Sequence, residues 1–235
     1  MGVRHSNIEK LMSILYFIVA FAEVTAEYYT YKPMICYLKP ILPILLIVMY
    51  LLTSNFKKGL FIAALLFSFL TNLLFISNTP KMLYYGVIAH TFHRILAIIL
   101  VLKITKIKDF IPLIIASIPF LLVFFYLFFE TSNIPQNSYL LLIFQNLLIS
   151  VYAGIALSCY VMNDNKINSI LLISTLLFVM LHFVVFIERY FLSDEYISFF
   201  RPIAMTFNAL AYYSLYKFVI TAERLNDNRS SDTGF

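Results

Sequence analysis

From Phe110 to Phe129 the chain runs without a single charged side chain. A helix of about 20 apolar residues, rising about 1.5 Å each, matches a hydrocarbon core about 30 Å thick. Seven more runs approach that pattern, at about 11–30, 39–56, 59–78, 82–102, 139–161, 169–191 and 201–220. The third, sixth and seventh runs are nearly as clean as 110–129, whereas Glu23 and Lys217 interrupt the first and eighth. Ser54-Asn55, Asn78-Thr79-Pro80, Thr131 to Pro135 and Asn163-Asp164-Asn165 separate the runs with turn chemistry. The pattern predicts an all-α polytopic membrane bundle of about eight transmembrane helices. It forms one unit over 1–225, followed by a polar, disordered tail over 226–235.

Composition excludes a soluble fold. The chain is 62% hydrophobic and 12% charged, against roughly 45–50% and about 25% in soluble proteins. Its net charge of +5 does not indicate nucleic acid, because the basic residues lie between apolar runs. They alternate instead. With the N-terminus inside, the inner segments hold Arg4, Lys10, Lys57, Lys58, Lys103, Lys106, Lys108, Lys166, Lys217, Arg224 and Arg229. The outer ends hold only Lys32, Lys39, Lys81 and Arg201. This asymmetry predicts both termini in the cytoplasm and fits a bacterial inner (plasma) membrane. Leu11 to Ala22 imitates a signal peptide but continues through Glu23 and Glu27 without a small-residue cleavage pattern, so it reads as the first helix. Cys36 and Cys159 lie in or beside apolar runs and read as small apolar residues.

An ionisable group inside a bilayer is costly, so each one marks a candidate site. Glu23 and Glu27 share a face of the first helix, at i and i+4. Lys39 opens the second helix and Thr71-Asn72 lie on the third. His90, His93 and Arg94 lie on the fourth, His182, Glu188 and Arg189 on the seventh, and Arg201, Asn208 and Tyr212 on the eighth. The opposite charges nearly balance, which suggests mutual pairing around a lipid-sized polar cavity. Blander readings stand beside this one. Glu27, Lys39 and Arg201 lie near helix ends and can snorkel, Glu188 and Arg189 can be interfacial, and Asn72 and Asn208 can bridge neighbouring helices. Arg94 is far from either end of its helix and calls for a cavity or a carboxylate, Glu23 first. His93 and Arg94 are adjacent and cannot both face one cavity directly. His90-x-x-His93 with His182 and a glutamate permits a zinc set without specifying one; no metal or cofactor is expected. Glycine-rich phosphate loops and serine elbows are absent from the sequence.

Several stretches carry a family resemblance. The second helix opens Tyr37-Leu38-Lys39-Pro40-Ile41-Leu42-Pro43, and the third reads Ala64-Leu65-Leu66-Phe67-Ser68-Phe69-Leu70-Thr71-Asn72-Leu73-Leu74. Gly86-Val87-Ile88-Ala89, Leu177-Phe178-Val179-Met180-Leu181-His182 and Met205 with Ala211 follow. In this order they resemble the YhhN-like, or lysoplasmalogenase, membrane family. The resemblance implies hydrolysis of the vinyl ether of lysoplasmalogens, releasing a fatty aldehyde. That chemistry needs an acid for the vinyl carbon and a base for water, and two carboxylates with separated pKa values would serve. By the same resemblance the family's aspartates fall at Asn72 and His182, its histidine at Arg94, and its tyrosine and glutamine at Asn208 and Tyr212. Lys39 is kept.

The expected catalytic positions are therefore His182 and Asn72, with Glu23 or Glu188 assisting His182. Glu23, Lys39, His90, Arg94, Glu188, Asn208 and Tyr212 line the cavity, and a membrane lipid or lysolipid is the partner. Two alternatives stay open: a non-catalytic lipid-binding or membrane-interaction protein on the same fold, and a small transporter. Asn72, Arg94, His182 and Asn208 around one pocket would favour a lipid site. A continuous polar path would favour transport.

Overall fold

The computed structural model describes residues 2–77, 79–105, 107, 109–131, 134, 138–192 and 196–232. Within them the chain forms eight helices: α1 (Gly2–Tyr28), α2 (Lys32–Thr53), α3 (Gly59–Ile76), α4 (Pro80–Thr105), α5 (Phe110–Glu130), α6 (Tyr139–Met162), α7 (Lys166–Tyr190) and α8 (Ile197–Asp232). Helices α2 to α7 are each long and apolar enough to cross a membrane. In α1 and α8, the two weaker runs of the sequence, charged side chains lie within long helices that still pack into the bundle.

Two boundaries differ from the sequence reading. Helix α2 starts at Lys32 rather than 39, with Pro33 in its first turn, where its missing N–H leaves no bond unmade. Helix α8 continues through Asp232, so residues 226–232 are helical where the sequence reads a disordered tail. Residues 233–235 lie outside the described residues.

The helix contacts close a circuit in the order α1, α2, α3, α4, α6, α7, α8 and back to α1. Helix α5 stands outside this ring against α6, and only 11% of its apolar window is buried. Its close approach depends on Gly154, because a Cβ there would collide with the Ser117 hydroxyl and the Leu113 carbonyl. Tyr50, Phe61, Leu65, Val101, Ile149, Leu171, Leu215 and Tyr216 fill the interior. Phe21, Ile111, Phe129 and Leu140 point outward and are largely exposed. Lipid solvates such an exterior as well as a protein core would, so packing and hydrogen bonds hold the ring together.

Candidate functional site

Polar side chains occupy three levels of the bundle. The first is the end that gathers the chain termini, and sequence reasoning missed it. Glu9 on α1 accepts from Lys217 and Arg224 on α8. Burial pushes the Glu9 carboxyl up, but the two cations pull harder and hold it below its ordinary value. Glu223 on α8 accepts from Tyr50 at 2.7 Å and Ser54 at 2.6 Å. The Tyr50 hydroxyl in turn accepts from the Lys58 backbone N–H at 2.7 Å. These contacts clamp α8 to α1 and to the α2–α3 turn.

The second level is central. Arg94 donates to the Gln145 side-chain oxygen at 2.6 Å and backbone carbonyl at 3.1 Å, and lies 3.1 Å from His90 Nε2. Gln145 is held by Thr91 at 2.5 Å. This corrects the expected partner of Arg94, which is an amide on α6 and not Glu23. His93 turns the other way, to the Ala64 carbonyl on α3 at 2.8 Å, as its adjacency to Arg94 requires. Its ring also packs against Tyr212 and Phe178, and stacks on His90. His182 Nε2 lies 2.9 Å from Asn146 Oδ1, with its ring edge-on to Phe124. Neither Glu23 nor Glu188 assists it, which corrects that expectation. Glu188 instead accepts from Arg201 at 2.7 Å.

The third level lies toward the opposite end. Lys39 donates to Glu27 at 2.9 Å, and both side chains are buried, so neither snorkels. Pro43 has no N–H to give the carbonyl four residues before it, which is that of Lys39. Asn72 on α3 fills the gap, donating to the Lys39 carbonyl at 2.9 Å. The residue at this expected catalytic position is thus a donor to an open helix carbonyl, a bond that an ionised aspartate cannot make. Glu23 is fully buried, and neither of its oxygens has a hydrogen-bond partner among the described residues.

The structure therefore brings His90, Arg94 and Tyr212 together around His93 on the α4 side. It places His182 on a separate amide and joins Asn72 with Lys39. Asn208 is half-buried. Among the described residues, no three His, Cys, Asp or Glu side chains form a group able to hold a metal ion. Cys36 and Cys159 are free thiols. An open apolar groove of about 450 Å³ runs along α1 past Ser13, Ile14, Phe17, Ile18 and Phe21, and none of the candidate residues lines it. Sequence reasoning also missed Gln145-Asn146, whose signal is two adjacent amides in the middle of an apolar span.

A ring of apolar helices with its polar groups buried in layers defines an integral membrane protein of the polytopic helical class. The YhhN family model matches residues 34–222, and the chain belongs to that family. No curated protein and no solved structure matches the chain.

Proposed function

We propose that this YhhN-family protein binds a lysolipid within the membrane, with both termini cytoplasmic and a bacterial inner membrane as its setting. Vinyl-ether hydrolysis by a carboxylate pair, which the lysoplasmalogenase resemblance implies, is lost in this chain. One observation carries the loss of hydrolysis, and the lysolipid as ligand rests on the family resemblance. The two expected catalytic positions serve separate structural bonds, Asn72 to the Lys39 carbonyl and His182 to Asn146. An amide does not exchange protons near neutral pH, and among the described residues His182 bonds to an amide and to no carboxylate.

A second reading is favoured by the imidazoles on α4. His90 and His93 stack with ring centroids 5.6 Å apart beside Arg94. Imidazole is a competent acid and base, so ether hydrolysis resting on histidines would keep the activity without aspartates. The assay is aldehyde release from a lysoplasmalogen by the purified protein in nanodiscs, with His182→Ala and His90→Ala alongside. The binding reading expects lysolipid to co-purify and no aldehyde to form. Aldehyde release abolished by either substitution would replace it with the histidine reading.

A further inference from the structure

Glu23 is the buried group that the proposed function leaves unexplained. It belongs to the stripe of α1 that faces α2 and α8, with Tyr16, Ala20 and Glu27, all nearly or fully buried. Tyr16 does not serve it, because the Tyr16 hydroxyl is committed to the Ala209 carbonyl at 2.9 Å. The charged groups that act on Glu23 are Lys39 and Glu27. Lys39 is one cation for two carboxylates and is bound to Glu27 at 2.9 Å. With both carboxylates ionised, the cluster holds one negative charge too many in a medium where an unpaired ion costs several kcal/mol.

What would satisfy Glu23 is a cation that carries its own hydrogen-bond donors. A metal ion fits poorly, because hard cations such as calcium take about six to eight oxygen ligands. Here one Glu27 oxygen is bound to Lys39, and the Lys39 carbonyl is bound to Asn72. An ammonium needs few acceptors and delivers up to three N–H groups. Glu23 lies five residues before the end of α1, about 8 Å below the helix terminus. Glu23 has no exposed surface, so an amine from the membrane interface reaches it by parting α1 from its neighbours over that distance.

We propose that Glu23 is the carboxylate of a binding site for a primary ammonium group, which completes the charge balance of the Glu23–Glu27–Lys39 cluster. The site does not rest on the lysolipid reading, since Glu23 precedes the residues that the family model matches. The amine comes from a lipid headgroup or from a soluble amine, and the test separates them.

The protein is reconstituted in nanodiscs of phosphatidylcholine alone, of phosphatidylcholine with phosphatidylethanolamine, and of phosphatidylcholine with added butylamine. Thermal unfolding is followed for the wild type, Glu23→Gln and Glu27→Gln. A wild-type midpoint that rises only with phosphatidylethanolamine assigns the site to a lipid headgroup. A rise only with butylamine assigns it to a soluble amine. The quaternary headgroup of phosphatidylcholine has no N–H and serves as the baseline. Glu23→Gln is expected to weaken the response at least tenfold in amine concentration. Glu27→Gln frees Lys39 to pair with Glu23 and is expected to weaken it as well, which keeps the test valid if Glu23→Gln does not fold. Equal midpoints in all three nanodisc types, or a wild-type response in either variant, would overturn the proposal.

Discussion

Asn72→Leu tests the bond that gives this position its role. The substitution removes the donor to the Lys39 carbonyl, and Pro43 prevents the helix from supplying a replacement. A buried carbonyl left open costs about 1–3 kcal/mol. Interhelical bonds in membranes average about 0.6 and reach about 1.7 kcal/mol, so the expected loss is about 1–2 kcal/mol. Pro43→Ala restores an N–H in register with that carbonyl. In the Pro43→Ala background the cost of Asn72→Leu is expected to fall below about 0.5 kcal/mol, giving a coupling of about 1 kcal/mol between residues on different helices. The four proteins are compared by reversible unfolding in mixed detergent micelles. An equal cost of Asn72→Leu in both backgrounds would refute the reasoning, because Asn72 would then be acting through something other than the gap left by Pro43.

The other polar levels and the outer helix give three more expectations. Lys39→Met leaves Glu27 buried without its partner, and breaking such a pair costs about 3–5 kcal/mol; adding Glu27→Met should recover most of it in the same unfolding assay. Gly154→Val places side-chain carbons against Ser117 and Leu113, so a loss of about 1–3 kcal/mol or more is expected, with faster proteolysis at the ends of α5 as the readout. Because Lys217 and Arg224 hold the folded Glu9 carboxyl below its ordinary value of 4.5, its contribution is complete above that pH and is lost as pH falls below it. Unfolding midpoints measured from about pH 5 to about pH 3 should therefore drop in the wild type and drop less in Glu9→Gln.

The eight helices are legible in the sequence because their signal is length and apolarity, which lipid exposure imposes on every span. The start of α2 is not, because Pro33 and the exposed Tyr37 resemble loop chemistry, although a proline in a first turn breaks nothing. The polar partners are only partly legible. A near balance of opposite charges suggests pairing without naming the Glu188–Arg201 bond, and it sends Arg94 toward Glu23. Arg94 satisfies its donors on neutral oxygens of Gln145, and no charge count reveals an amide partner. The Asn72 bond is derivable in principle, since Pro43 by its position alone marks the Lys39 carbonyl as open. The Glu9 and Glu223 networks escape notice because both residues lie near the ends of apolar runs, where a charge has a ready explanation in the interface.

The ion pairs also separate two uses of charge in this bundle. Glu27–Lys39 and Glu188–Arg201 join neighbouring elements of the ring, α1 to α2 and α7 to α8. They sit where a carboxylate and a cation can both be neutralised and helix register fixed at once. Arg94 and Glu23 do not follow that pattern. Arg94 is buried on neutral acceptors, and Glu23 is buried on none among the described residues. Their charges are opposite, yet they occupy different helices and do not meet. A purely structural role explains Arg94, which ties α4 to α6 through Gln145, a tie the ring needs because α5 stands outside it. The same explanation is weaker for Glu23, which makes no hydrogen bond to another helix among the described residues. If helix packing were the only demand on that position, alanine would fill it at no electrostatic cost. Burial without a hydrogen-bond partner among the described residues sets Glu23 apart from Glu27 and Glu188, and the proposed ammonium site rests on that difference.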